Sequence, residues 1–145
     1  MIKNNLNNIN IGNCGEYYVA GELERRGFTV AVPMSNVDNF DILARNNKTH
    51  KQYAIQVKTT TKNSWILNKK AENLSAPDIY YVFVRIKGDN HPEFFIYESE
   101  YVANYVQKHH QQWLSTTTKN GEKHNDTSIR SFRDFSNKDR WDLLD

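Results

Sequence analysis

Four polar side chains stand where their neighbours are apolar: Glu16, Asp41, Gln56 and Lys58. Glu16 shares a 3.6-residue period with Val19, Ala20 and Leu23, so it falls on the stripe of a helix that should face the core. An ionised carboxylate is costly there unless a positive or hydrogen-bonding group meets it. Asp41 interrupts Phe40, Ile42, Leu43 and Ala44, an apolar strand pattern. Two carboxylates and an amide oxygen are hard donors of the kind that suit Mg²⁺ or Mn²⁺. Such an ion lowers the pKa of a bound water and polarises a phosphoryl oxygen. Lys58 can orient or deprotonate that water, or offset charge developing on a phosphate.

These groups meet only if the elements around them fold in one register. Asn13 is expected to cap a helix running to about Arg26, with Gly27 after its end. Strands are expected over Phe28–Val32, Phe40–Ala44 and Tyr53–Thr59, the last two joined by a turn at Asn46-Asn47. Period-2 alternation puts Asp41 and Leu43 on one side of their strand. It puts Gln56 and Lys58 together on the next strand, with Tyr53, Ile55 and Val57 facing the other way. Pairing through a turn near Lys48 brings Asp41 opposite Gln56, where side chains stand about 5 Å apart at Cβ. Further along, the pattern reads as a short edge strand at Trp65–Leu67, a short helix at Lys69–Leu74, and a central strand at Ile79–Ile86. A strand at Phe94–Tyr97 and a helix from Ser99 to Leu114 follow. A polar loop over 115–128 and a short final helix capped near Ser136 complete the pattern. Residues 1–11 read as a loose Asn-rich arm. The order of elements implies one α/β domain over 1–145, a mixed central sheet flanked by helices.

The 145 residues carry a net charge of +2, which decides little. Its distribution says more, because no acidic residue lies between Asp41 and Glu72. The same stretch holds Arg45, Lys48, Lys51, Lys58, Lys62, Lys69 and Lys70, a local positive segment suited to a polyanion such as DNA. Thr59, Thr60, Thr61 and Lys62 can hold phosphates, and Trp65 can stack on a base or fill a core. Thr59, Thr60, Lys62, Trp65, Lys69 and Lys70 are therefore the candidate nucleic-acid contacts. A single cysteine, Cys14, excludes a disulfide framework and a cysteine-rich zinc site. No apolar run approaches the roughly 20 residues of a membrane span, and the N-terminus lacks a signal-peptide core. A cytoplasmic location is the expectation.

Asp41, then Gln56-Val57-Lys58 on the following strand, with Glu16 on the preceding helix, resembles the PD-(D/E)XK nuclease superfamily. The resemblance is to its Gln-x-Lys branch, found in type IV restriction-like and Holliday-junction-resolvase-like nucleases, and it covers about residues 12–60. Phe40 stands where the family name has proline, and Gln56 where an acid is usual. In the Gln-bearing branch the helix glutamate, here Glu16, supplies the compensating carboxylate. The resemblance implies an α/β, restriction-endonuclease-like αβββαβ core. It implies metal binding by Glu16, Asp41 and Gln56, with Lys58 assisting catalysis. A metal-dependent DNA endonuclease follows, with a homodimer expected if both strands are cut and the aromatic 94–114 region as the candidate surface for it. The alternatives are a nuclease-fold module with a weak or dead site that binds nucleic acid or a protein partner, and a structural or inhibitor protein that binds no DNA.

Overall fold

The computed structural model describes residues 7–35 and 37–145. Helix α1 spans Asn8–Arg25 and is capped by Asn7, whose side chain accepts the Asn10 N–H at 2.8 Å. Asn13, expected as the cap, lies inside the helix, and residues 8–11 form its start rather than an arm. Of the rest of that expected arm, Asn7 is the cap, and 1–6 lie outside the described residues. At the other end Gly27 takes a φ of 88°, the left-handed conformation that glycine adopts without a Cβ penalty.

Strands β1 (Phe28–Ala31), β2 (Ile42–Asn46) and β3 (Gln52–Thr60) form an antiparallel meander, and β4 (Trp65–Asn68) runs into a 3₁₀ turn, Lys69–Asn73. Strands β5 (Ile79–Arg85) and β6 (Glu93–Glu98), helix α2 (Ser99–Leu114), strand β7 (Ile129–Phe132) and a second 3₁₀ turn, Trp141–Leu144, complete the chain. The main sheet runs β1-β2-β3-β5-β6; only β3 and β5 are parallel in it. A two-stranded sheet of β4 and β7 lies apart. The α-helix that an αβββαβ order puts in the parallel crossover is absent. Strand β4 and one 3₁₀ turn make that connection, and α2, which follows β6, covers the sheet instead.

The hairpin register is the one the alternation requires: Ile42 pairs with Ile55 and Leu43 with Ala54. Asn46 fixes the turn, its buried side-chain oxygen accepting the Lys48 and Thr49 N–H groups. Alternation then separates two cores. Ile42, Ala44, Ile55, Val57, Val82 and Val84 pack beneath Val19 and Leu23 of α1, and Trp141 and Leu144 close that layer. The other layer is aromatic: Tyr81, Phe83, Phe95, Tyr97, Trp65 and Phe132, against Val102 and Val106 of α2. Phe83 and Phe132 stack at 4.3 Å.

In the 94–114 region Phe94, Phe95 and Tyr97 are buried, at most 2% exposed, while Tyr101 and Trp113 of α2 lie at the surface. Ser99 begins α2 without capping it by side chain; its Oγ accepts the Ala76 N–H and donates to the Ala76 carbonyl, pinning the crossover to the helix.

Candidate active site

Asp41 lies one residue before β2 rather than within it, so β2 ends there and β3, still paired with β5 on its other side, has a free edge beside Asp41. Asn39, with a left-handed φ of 76°, turns the chain into this position. The Asp41 N–H still donates to the Ile55 carbonyl at 2.8 Å, and its side-chain Oδ2 accepts the Val57 N–H, also at 2.8 Å. The carboxylate thus replaces the missing strand. In an antiparallel ladder the N–H and C=O of one residue point the same way. The Val57 carbonyl therefore opens toward the edge that holds Asp41.

Helix α1 closes on this edge because Gly15 has no side chain. A Cβ there would stand 1.8 Å from the Thr59 Oγ1. Gly15, Val19 and Leu23 are the buried positions of α1, and Glu16 sits at the side of that stripe, half-buried. It lies well beyond the first helical turn, so a helix-dipole preference does not account for it. Burial raises the Glu16 pKa, the Asp41 charge raises it further, and the Lys58 ammonium pulls it back. Glu16, Asp41 and Lys58 are therefore within electrostatic reach of one another. The Glu16 carboxylate, whose ionisation the Asp41 charge opposes, lies with Asp41 beside an ammonium and an amide, a donor set that a divalent cation would relieve. Among the described residues no cluster of three His, Cys, Asp or Glu side chains exists, so any cation here would rest on two acids and neutral oxygens.

Gln56 and Lys58 point away from the aliphatic core and line an open cavity of about 230 Å³. Asp38 and Asn39 border it from the loop before Asp41, Asn68 from the end of β4 and Lys70 from the 3₁₀ turn. Tyr81, level with Gln56 across the parallel pairing, forms part of its wall. Sequence reasoning missed Tyr81, because only the β3–β5 register puts it there. Burial, and after it the Asp41 charge, pushes the Tyr81 phenol up to about 12.

The candidate nucleic-acid contacts divide. Trp65 is 1% exposed, its Nε1 donating to the Val84 carbonyl at 2.9 Å, so it is a core residue and cannot stack on a base. Its burial follows from the pairing of β4 with β7, which encloses what read as an edge strand. The Thr59 Oγ1 is sealed against Gly15 and reaches no phosphate. The Thr60 hydroxyl accepts the Lys62 N–H at 3.1 Å. Lys62, Lys69 and Lys70 are exposed, and of these Lys70 borders the cavity. Glu72, which ends the acid-free stretch, is held by the buried Arg130 at 2.6 Å and does not offset those lysines.

No family model matches the chain, and no curated protein resembles it in sequence. Solved structures do resemble it in shape. A bacterial homing endonuclease superposes over 95% of this chain and 91% of its own, with a TM-score of 0.55 at 12% identity. A Holliday junction resolvase from the archaeal hyperthermophile Archaeoglobus fulgidus superposes over 84% and 83%, with a TM-score of 0.49 at 13% identity. The chain has the restriction-endonuclease-like fold, a mixed α/β architecture with Asp41 and β3 at the free end of its hairpin.

Proposed function

We propose that the protein is a metal-dependent DNA endonuclease of the Gln-x-Lys kind. The observation that carries this reading is the electrostatic coupling of Glu16, Asp41 and Lys58 at the strand end where Gln56 and Lys58 line a cavity. Glu16, Asp41 and Gln56 would hold Mg²⁺ or Mn²⁺. When bound, the ion supplies an acidic water and a Lewis acid for a phosphodiester. Asp41 is held for this by the Val57 N–H, which fixes its carboxylate. Lys58, on the same face as Gln56, orients the attacking water and offsets charge on the phosphate. Lys70 at the rim, with Lys62 and Lys69, attracts the DNA backbone without reading its sequence. Cutting both strands would pair two copies of the site, so a homodimer on DNA belongs to the same reading. No helix among the described residues is long and apolar enough to cross a membrane.

The test is cleavage of supercoiled, linear and four-way-junction DNA with Mg²⁺ or Mn²⁺. The parent should cut at least one form, and EDTA should stop it. Asp41→Ala and Lys58→Ala should be inactive while still binding DNA. If both variants cut as well as the parent, the assignment is wrong. If the parent binds DNA and never cuts it, the protein is a binding module.

A further inference from the structure

Tyr81 combines three properties that a core aromatic does not need. Its ring is fixed, stacked on Phe83 at 5.4 Å and 6° between planes. The residue is 2% exposed, and yet it lines the cavity beside Gln56 and Lys58. Its hydroxyl has no hydrogen-bond partner among the described residues, whereas the neighbouring Tyr97 hydroxyl donates to Asp134 at 3.0 Å and accepts the Asn137 N–H at 3.2 Å. The Tyr81 hydroxyl is not among the sealed, unpartnered polar atoms of the described residues, which are the Thr59 Oγ1, the Arg85 Nε and the Trp141 Nε1, so it opens to the cavity instead of being shut in the core. We infer that the Tyr81 hydroxyl donates a hydrogen bond to a non-bridging oxygen of the phosphodiester held over Gln56 and Lys58, making Tyr81 a further substrate-contacting residue of the reaction.

The inference rests on the endonuclease reading and adds a residue to it. The chemistry is complementary: a phosphodiester offers only acceptors to the cavity, and Tyr81 offers a donor on a rigid ring. The ring arrives from β5, so it approaches the phosphate from the side opposite Asp41, which lies across β3. A donor placed there acts without moving as charge grows on the phosphate oxygens.

Tyr81→Phe keeps the ring and its stacking on Phe83 and removes the hydroxyl alone. With the full-length protein, Mn²⁺ and saturating DNA, the single-turnover rate should fall by between about tenfold and a hundredfold, the range for a hydrogen bond to a charged group. DNA affinity and the thermal midpoint should stay at the parent's values. A second readout uses DNA with sulfur at either non-bridging oxygen of the mapped cleavage position. Sulfur at the oxygen that Tyr81 contacts should slow the parent and slow Tyr81→Phe less, which a packing role would not produce. If the parent cuts and Tyr81→Phe cuts equally fast, with the same sulfur penalty at both oxygens, Tyr81 is a core residue only and the endonuclease reading survives. If the parent cuts no DNA, both fall together.

Discussion

On one face of the central sheet, Ile42, Ile55, Val57, Val82 and Ile96 are shut beneath α1. On the other, the same strands carry Gln56, Lys58 and Tyr81 to an open cavity, with Asp41 at the strand end beside it. Strand β3 serves both faces residue by residue, with Tyr53, Ile55 and Val57 buried on one side and Gln56 and Lys58 only half-buried on the other. The second face is covered over β5 and β6 by α2 and the β4–β7 sheet, and the cavity lies where that cover stops. The contrast teaches how a small domain separates stability from chemistry. One face supplies the burial that holds the strands, and the other is free to carry groups that a core would reject.

If that separation is real, substitutions on the two faces should fail in different assays. Asp41→Asn keeps an oxygen for the Val57 N–H but loses the charge. Its cleavage rate should fall by roughly a thousandfold, the scale of several kcal/mol of charge stabilisation, while its thermal midpoint stays near the parent's. Leu23→Ala, at a position 0% exposed, should do the reverse. It should cost about 2–5 kcal/mol in denaturant melts, with the folded fraction cutting at the parent's rate. If Asp41→Asn unfolded the chain, or Leu23→Ala were inactive though folded, the division of labour would not hold.

Gly15→Ala probes the seam between the faces. The new Cβ meets the Thr59 side chain, with Oγ1 at 1.8 Å and Cβ at 2.9 Å. Overpacking of this kind costs about 1–3 kcal/mol. Because Glu16 is the next residue, cleavage should fall as well. Adding Thr59→Ala, which removes the closest atom, should restore part of both losses.

Much of this geometry was legible in the sequence, for a local reason. The β2–β3 hairpin has a short turn, so alternation around Asp41 and Gln56 fixed the register, and the helix stripe placed Glu16. What was hidden depends on distant pairing. Trp65 is buried because β4 meets β7, whose residues begin only at Ile129, and Tyr81 reaches the cavity because β5 returns parallel to β3. Neither contact leaves a local mark. The start of α1 was misplaced for another reason: Asn7, Asn8, Asn10 and Asn13 are all competent caps, and only packing decides among them.

Glu16 yields a smaller effect whose sign is fixed by the same contrast. Its pKa in the folded protein lies above the ordinary 4.5, so the fold binds the proton more tightly than the unfolded chain does. Without metal, the stability this confers is complete below pH 4.5 and is lost as pH rises through the raised folded value. Glu16→Gln removes that loss. In EDTA the variant should melt higher than the parent at neutral pH, with the gap closing in acid. Mg²⁺ should then raise the parent's midpoint more than the variant's. A parent that melts higher than Glu16→Gln at neutral pH in EDTA would mean that the carboxylate is already well partnered.

Lys70→Ala should have the slightest consequence. DNA binding should weaken about equally for all sequences, and the slope of log affinity against log salt should drop by about one. An unchanged slope would remove Lys70 from the DNA path.

In the proposed site an acid from α1, an acid just before β2 and an amide on β3 share one cation beside Lys58. Anomalous diffraction from a crystal soaked in Mn²⁺ tests it directly. The expected result is a single peak bounded by the Glu16 and Asp41 carboxylates and the Gln56 amide oxygen, lost in Asp41→Asn crystals. Well-ordered density for all four side chains with no peak among them, or a peak that Asp41→Asn leaves unchanged, would contradict it.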